Sequence, residues 1–238
     1  EISTGTTFLH LIQAYRQLNP QLKKVVIVSL VNFAEPERRI ELAEQAGVNI
    51  AWVYLRSGRF AFTDSHNAVV DTITVNVDSS PTCKKAYLAW PGRLGITKPI
   101  QLAQDCAKTV QAYFTSSRDD TRPLLVLGTG ECNAPAYLLA SQLTALGFKV
   151  KVQSTTRSPI YPGNDIANVC QFTDNYGDNI PNFLYNFTRE HYREVIICHE
   201  TPLNDVILAR LTAWQAISAR FELTDTSAPD ASLYFYRP

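Results

Sequence analysis

The sequence contains no methionine, and its five cysteines stand singly. No two of them form a CxxC pair and their number is odd, which argues against a disulfide framework or a cysteine zinc site. No apolar run is long enough to span a bilayer, and no secretory leader is visible. We therefore expect a cytoplasmic protein without a membrane partner. The absence of an initiator methionine before Glu1 indicates a processed or incomplete polypeptide.

Neither sign of charge is in excess, since 22 basic residues face 22 acidic ones. Bulk electrostatics therefore give no reason to expect a nucleic-acid partner. A composition of 45% hydrophobic and 18% charged residues is typical of a globular protein. At 238 residues the chain can form one large α/β domain or two small ones.

The opening stretch, residues 1–12, is rich in hydroxyl side chains and leads into an apolar helix pattern. Phe8, Leu11, Ile12 and Tyr15 have the spacing of one buried helix face. Ser3 or Thr4 is a candidate cap for that helix, and a glycine follows at the next position. Free amides, short hydroxyls and the positive end of a helix dipole together form a phosphate cradle. The alternative is an ordinary helix cap.

Residues 1–78 follow an α/β pattern. After the first helix, residues 24–31 predict a strand covered on both faces. Pro36 starts a helix that Gly47 ends, and residues 48–55 and 73–77 predict two further strands. This order is that of the second half of an open parallel sheet. Residues 56–60 place two arginines after a strand, as a ligand contact or as a solvated turn.

Residues 79–238 predict a second small α/β domain, with the boundary in a turn-rich connection at residues 79–93. Helices are expected from Pro99 to about residue 116, after residue 131, and from residue 204 or 205 to about residue 220. The expected strands are residues 124–127, 148–153, 194–198 and 233–236. Strands that alternate with helices in this way predict a three-layer arrangement.

Candidate binding residues follow three of these strands. Gly128-Thr129-Gly130 can present amides to an anion or form a tight turn, but Asn133 occupies the place of the third glycine of a dinucleotide fingerprint. A nicotinamide oxidoreductase is therefore the weakest alternative. Arg157 stands among hydroxyl residues, a set that suits a phosphate or carboxylate. Residues 174–183 form a polar loop with aromatics that suits a base or sugar, or simply packs. His199 is an acid–base candidate or, as we favour, a structural histidine.

Residues 1–7 resemble the second half of the phosphoribosyl-pyrophosphate loop of type I phosphoribosyltransferases. In that family an apolar strand and two acidic residues precede a Thr/Ser/Gly run and a helix. Only Glu1 stands where the acidic pair would be. The resemblance therefore implies a phosphoribosyltransferase-type core that is incomplete at its N-terminus and is inactive by itself.

The second segment resembles the TRSP domain, which is named after letters found here as Thr156-Arg157-Ser158-Pro159. Residues 127–131 and residues 174–178 followed by 180–186 resemble its other recurrent blocks. That domain typically follows an orotate-phosphoribosyltransferase-like domain. Such fusions are associated with bacterial tellurium-resistance and stress gene clusters and are thought to help make a nucleoside-like metabolite.

The resemblance implies transfer of phosphoribosyl from phosphoribosyl pyrophosphate (PRPP) to or from a base-like acceptor. Mg²⁺ would be bound through PRPP and its pyrophosphate rather than by a protein metal site, and a homodimer is possible, as in relatives. The implied catalytic residue is Glu1, and the 5′-phosphate would be held by Ser3, Thr4, Gly5, Thr6 and Thr7. The acceptor or an anion would be bound by Gly128, Thr129, Gly130, Glu131, Thr156, Arg157, Ser158, Asp174, Asn175, Tyr176 and Asp178. The alternative is a non-catalytic module that senses PRPP or a nucleotide.

Overall fold

The computed structural model describes residues 1–61, 99, 101–130, 132–160, 162–163, 165–222 and 230–238. The chain divides into two compact units, Glu1–Val70 and Asp71–Pro238. The strand predicted at residues 73–77, the connection at 79–93 and Glu131 lie outside the described residues, and the boundary at 78/79 stays a prediction. Within the described ranges, no helix has the length and apolar character needed to cross a membrane.

The first unit is a strand–helix repeat around two parallel strands. Its elements are helix α1 (Thr6–Leu18), strand β1 (Lys24–Asn32), helix α2 (Pro36–Ala46) and strand β2 (Asn49–Ser57). The strands β1 and β2 pair in parallel, and Ile2 adds a parallel bridge to Asn32 on the other side of β1. Gly47 ends α2 in the left-handed conformation with φ 62°, as its position in the sequence predicts.

The buried face of α1 agrees with the prediction only in part, since Ile12 is buried and Phe8 packs against the same core. Leu9 and Ile12 are buried against β1 and α2, whereas Leu11 and Tyr15 are 64% and 51% exposed. The next position of the buried stripe is Arg16, whose Nη1 donates to the carbonyl of Ala46 at 2.6 Å and so caps α2. Because apolar residues occupy two adjacent stripes of α1, periodicity alone could not tell which one faces the core.

In the described residues of the first unit, one face of β1 is buried and the other is exposed, contrary to the sequence prediction. Ile27 is buried, while Val26, Val28 and Leu30 are between 53% and 73% exposed. An unbroken apolar run is typical of a parallel strand with both faces covered, and this composition misled the prediction.

The second unit contains a six-stranded sheet of mixed direction. Its strands are β3 (Gln101–Leu102), β4 (Leu124–Gly128), β5 (Val150–Ser154), β8 (Glu194–His199), β9 (Ile217–Glu222) and β10 (Asp230–Tyr236). Their order in the sheet is β3-β10-β9-β8-β4-β5, and the strands β5, β4, β8 and β9 are parallel neighbours. A separate antiparallel hairpin consists of β6 (Val169–Thr173) and β7 (Pro181–Tyr185).

Helices cover both faces of this sheet, which confirms the three-layer α/β fold. Helices α3 (Cys106–Gln111) and α4 (Asn133–Ala145) share one hydrophobic cluster with the sheet. Helix α5 (Asp205–Ala213) shares the cluster on the other face, together with the hairpin. Side chains alternate between the two clusters along β4, where Leu124 and Val126 belong to the first and Leu125 and Leu127 to the second.

Two predicted helices of the second unit are shorter than expected. The helix expected from Pro99 to residue 116 is a two-residue strand, β3, followed by the short α3. The last helix ends at Ala213, and β9 begins at Ile217, within the last turn of the predicted helix. Asn204 caps its start by accepting a hydrogen bond from the amide of Ile207 at 3.0 Å. Gln215, with φ 48°, follows the end of α5, where a left-handed residue stops helix propagation.

Candidate functional site

The hydroxyl-rich loop of the first unit starts at the carboxyl edge of its sheet. The amide of Ile2 donates to the carbonyl of Val31 at 2.9 Å, and the amide of Phe33 donates to the carbonyl of Ile2 at 2.7 Å. These bonds place Ile2 beside the end of β1, so the chain leaves the sheet edge, passes through residues 3–5 and enters α1. This is the strand–loop–helix arrangement that binds phosphate in α/β proteins.

The amides of this loop have no acceptor among the residues that the structure describes. Within the described part of the chain, the backbone N–H groups of residues 3–8 donate to no protein group, and the first bond of the helix runs from Leu9 to Gly5 at 3.1 Å. The predicted caps Ser3 and Thr4 do not cap the helix, since the N-cap residue is Gly5 and no side chain accepts a hydrogen bond from the first turn. The loop therefore presents consecutive unsatisfied donors at the positive end of a helix dipole.

Gly5 allows this geometry for two reasons. Its φ of 72° lies in the left-handed region, and a Cβ at this position would come within 2.6 Å of Leu42 Cδ1. A larger residue would therefore be strained and would also displace a core side chain.

Arg38 is a residue of this site that the sequence did not reveal. From α2 its Nε donates to the carbonyl of Thr4 at 3.0 Å, and its Nη2 lies 3.5 Å from Thr6 Oγ1. Its Nη1 forms an ion pair with Glu41 at 3.0 Å. The guanidinium thus holds the loop and adds positive charge beside the free amides. Its position in the first turn of α2 carried no motif from which this role could be predicted.

Other predicted residues of the first unit contribute less to this geometry. Glu1 and Thr7 are exposed. The hydroxyl groups of Thr4 and Thr6 form a hydrogen bond of 3.1 Å with each other. Arg59 pairs with Glu35 at 3.1 Å beyond the end of β2, and Arg56 is exposed.

In the second unit, the candidate residues meet at the carboxyl ends of β4, β5 and β8. The chain leaves β4 toward β5 on one side and later returns to β8 on the other, so β4 and β8 flank the topological switch point of the sheet. Ligands of open α/β sheets bind at such points. The hairpin loop joins this edge, because Asn175 Nδ2 donates to Thr201 Oγ1 at 2.8 Å.

The glycine loop after β4 uses its amides internally. The amide of Thr129 donates to the carbonyl of Cys198 at 3.0 Å, and the amide of Gly130 donates to Thr155 Oγ1 at 3.2 Å. A Cβ on Gly128 would come within 2.4 Å of Asn133 Oδ1. Contrary to the prediction, these two amides do not face an open site. The loop instead joins β4 to its two neighbouring strands.

The loop of residues 156–160 is held at both ends by β7. Thr156 and Phe183 exchange two backbone hydrogen bonds of 3.0 and 2.8 Å. The hydroxyl of Tyr185 donates to the carbonyl of Ser158 at 2.9 Å and accepts from the amide of Ile160 at 2.6 Å. Arg157 lies between these anchors, is exposed, and bonds no other described residue.

The loop of residues 174–180 is built around the carboxylate of Asp174. That carboxylate accepts the amides of Tyr176, Asp178 and Ile180 at 2.9, 3.3 and 2.8 Å. Asp174 is 4% exposed, so its contacts give it the role of shaping the loop. The buried Asn175 and Asp178 belong to the same loop.

His199 has both ring nitrogens bonded at the end of β8. Its Nδ1 lies 2.8 Å from the carbonyl of Thr201, and its Nε2 lies 2.8 Å from Ser218 Oγ. Burial lowers the pKa of His199 to about 4, outweighing the opposite effect of the Thr201 carbonyl. This geometry agrees with the structural histidine that we favoured.

Glu200 is a second residue that the sequence did not single out. It is 5% exposed and accepts a hydrogen bond of 2.6 Å from the hydroxyl of Tyr176. The ring of Tyr176 lies against Gly130, where a Cβ would approach it to 2.6 Å. The sequence shows that Glu200 directly follows a buried strand. Its partner Tyr176 lies in the loop of the β6–β7 hairpin, which the hydrophobic periodicity did not predict.

The fold and these loops define the class of the protein: an α/β unit with an amide-lined loop before its first helix, and a second three-layer α/β unit with polar loops at its switch point. Residues 1–59 match the family model described as phosphoribosyl transferase, PRTase_2, and residues 90–217 match the model described as TRSP domain C terminus to PRTase_2. The second match covers more than half of the chain. The protein belongs to the family in which a TRSP domain follows a phosphoribosyltransferase domain. No curated protein and no solved structure matched the chain.

Proposed function

We propose that residues 3–8 bind the 5′-phosphate of PRPP and that the protein is a phosphoribosyltransferase acting on a base-like acceptor. The observation that carries this proposal is the run of unpaired amides in that loop, with left-handed Gly5 among them. A phosphate monoester offers several oxygens that can accept from adjacent N–H groups at a helix start. Arg38 would add a charge-assisted interaction at the rim of the loop.

In the proposed reaction a nitrogen of the acceptor bonds to C1 of the ribose, the bond from C1 to pyrophosphate breaks, and the nucleophile loses its proton. Such a transition state has oxocarbenium character and leaves little covalent chemistry for side chains. Positioning and charge stabilisation would therefore provide most of the acceleration. Glu1 would contact the ribose hydroxyls from its place before the phosphate loop.

Mg²⁺ belongs to this proposal only as a companion of the substrate. Among the described residues, no group of three His, Cys, Asp or Glu side chains is arranged to hold a metal ion. The ion would reach the site with PRPP and its pyrophosphate.

The TRSP unit would recognise the acceptor. Support comes from the exposed guanidinium of Arg157, held between the two anchors that β7 provides, and from the 174–180 loop at the switch point. The described residues of this proposal that frame the same edge are Gly128, Thr129, Gly130, Thr156 and Ser158. The proposal also includes Glu131, on the sequence pattern alone. A partner with an acidic or carbonyl group suits the arginine fork.

The test is calorimetric titration of the longest chain of this protein with PRPP in the presence of Mg²⁺. We expect saturable binding that weakens at least about tenfold in Arg38→Met, which removes one charge-assisted contact at the loop. Lys24→Met is the matched control, because Lys24 is exposed at the opposite end of β1 and should bind normally. Equal affinity of the two variants would contradict the loop assignment.

A non-catalytic PRPP sensor is the alternative, and the same amide-lined loop would serve it. The two functions differ in turnover. An enzyme releases pyrophosphate from PRPP when its acceptor is present, whereas a sensor binds PRPP and leaves it intact. Pyrophosphate release assayed across a panel of nucleobases therefore separates them.

A further inference from the structure

A narrow cleft lies at the switch-point edge of the second unit, where it borders the loops after β4 and β5 and the hairpin loop described above. It lies between the carboxyl ends of β4 and β8, the hairpin and helix α5. Its apolar part includes Leu127 and Ile197, and its polar part includes Thr129, Thr155 and Asn175. One charged side chain, Arg210, reaches it from α5.

Arg210 is held by aromatic rings rather than by an acid. Its guanidinium carbon lies 5.1 Å from the ring centre of Phe172 and 5.8 Å from that of Trp214. Both distances are typical of cation–π contacts. No described acidic residue lines the cleft or forms an ion pair with this arginine.

The Nε atom of Arg210 is buried and has no hydrogen-bond partner among the described residues. An unpaired charged donor in a buried place is unfavourable, so such a group calls for an acceptor. The neighbouring polar atom is the thiol of Cys170, a weak acceptor; burial raises the pKa of this thiol, and the contact with Arg210 has the smaller, opposite effect. The thiol therefore stays neutral and does not balance the guanidinium charge.

The hydroxyls of the cleft can assist an acceptor. Thr155 Oγ1 already accepts the amide of Gly130 at 3.2 Å, which leaves its hydrogen available for donation. The open space accommodates about one water-sized group. That size admits one oxygen of an anionic group, the rest of which would lie at the mouth of the cleft, and it excludes a whole heterocycle.

We propose that this cleft is an oxyanion-binding site in which Arg210 and Thr155 hold the terminal phosphate or carboxylate of a small molecule. The aromatic rings of Phe172 and Trp214 fix the arginine in place, so that little side-chain freedom is lost on binding. The site is distinct from the amide-lined loop of the first unit, and it does not depend on PRPP being a substrate.

The test follows the side-chain Nε–H signals of arginine and the indole N–H signals of tryptophan by NMR, on the full chain with sequential assignment. Inorganic phosphate and sodium acetate are titrated separately, and sodium chloride at matched ionic strength is the reference. We expect saturable shifts of the Arg210 and Trp214 signals with one or both oxyanions. The oxyanion that saturates the shifts at the lower concentration shows whether the site prefers a phosphate or a carboxylate.

Two variants make the test specific. Arg210→Lys keeps the charge but removes the planar fork, and it should weaken the oxyanion at least about tenfold. Arg118→Lys, the same change at an exposed arginine of this unit, should leave the Arg210 shift unchanged. The shift should also persist in Arg38→Met, which separates this site from the phosphate loop. If the wild-type Arg210 signal moves no more with either oxyanion than with chloride, the proposal is wrong, whether or not the variants fold.

Discussion

His199 links the stability of the second unit to pH. Both of its ring nitrogens are bonded in a buried place, and its pKa falls from an ordinary 6.5 to about 4 because burial disfavours the charged ring. The unfolded chain therefore binds a proton at a pH where the folded chain does not. Stability is complete above about pH 6.5 and decreases as the pH falls toward 4.

We expect this one residue to lower the free energy of unfolding by up to about 3 kcal/mol between pH 7 and pH 4. Urea unfolding across this range measures the effect. His199→Asn keeps a donor toward the Thr201 carbonyl but does not titrate, so its stability should depend less on pH. His10→Gln, at an exposed position of α1, is the control. Identical slopes for wild type and His199→Asn would contradict the expectation.

Glu194 and Arg237 form the most buried ion pair in the described part of the chain. Glu194 is fully buried, its Oε1 accepts the amides of Thr115 and Ser116 at 2.7 Å, and its Oε2 lies 3.0 Å from Arg237 Nη1. Removing the arginine leaves a buried carboxylate without its counter-charge, which destabilises far more than the pair itself stabilises.

Arg237→Met should therefore lower the free energy of unfolding by about 3 kcal/mol. Adding Glu194→Gln to that variant removes the stranded charge and keeps an acceptor for the two amides. We expect the double variant to recover to within about 1 kcal/mol of wild type. Denaturant midpoints of the three proteins decide this, and a double variant less stable than Arg237→Met would contradict it.

At the scale of elements, Gly130 shows how a turn and a hairpin depend on each other. Its φ of 55° and the ring of Tyr176 both restrict the site, since a Cβ would lie 2.6 Å from Cε2 of that ring. Gly177, with φ 86°, is the matched control because a Cβ there meets nothing within 4 Å. Gly177→Ala should show backbone strain alone, about 1 kcal/mol.

Gly130→Ala should be more destabilising than Gly177→Ala, by about a further 1–3 kcal/mol for overpacking. The measurement is the unfolding free energy of each variant. Because the clash is with the ring, Gly130→Ala should lose the extra destabilisation when it is measured in a Tyr176→Ala background, with Tyr176→Ala alone as the reference. If the two glycine variants are equally stable, Tyr176 does not pack on the turn in solution.

The elements show which structure could be predicted from the sequence. Strand β4 and helix α2 were predicted to within one residue, because Gly and Pro mark their ends and tertiary contacts do not override the local pattern. Strand β9 was missed because its apolar run continues that of α5, and only the left-handed Gln215 separates the two. The same limit hid the hairpin of β6 and β7, whose polar residues break the alternation.

At the scale of the whole molecule, the ordered motifs identified the family correctly, and they also indicated which loops face the carboxyl edges of the sheets. They could not reveal the partners of each loop. Whether an amide is free, as at residues 3–8, or bonded, as at Thr129 and Gly130, depends on neighbours distant in sequence, such as Cys198 and Thr155. A glycine–threonine run reads the same in both cases.

Each unit has its own hydrophobic core. Among the described residues, one cluster contains only residues of the first unit, and the other two contain only residues of the second unit. Loss of stability in one core should therefore remain local. We expect Arg237→Met to speed amide hydrogen exchange in β8 and β9, next to Glu194, and to leave β1 and β2 unchanged, because local opening depends on the contacts of each segment. Exchange followed by mass spectrometry on the full chain measures both sets of peptides at once. A uniform acceleration in all four strands would contradict this expectation.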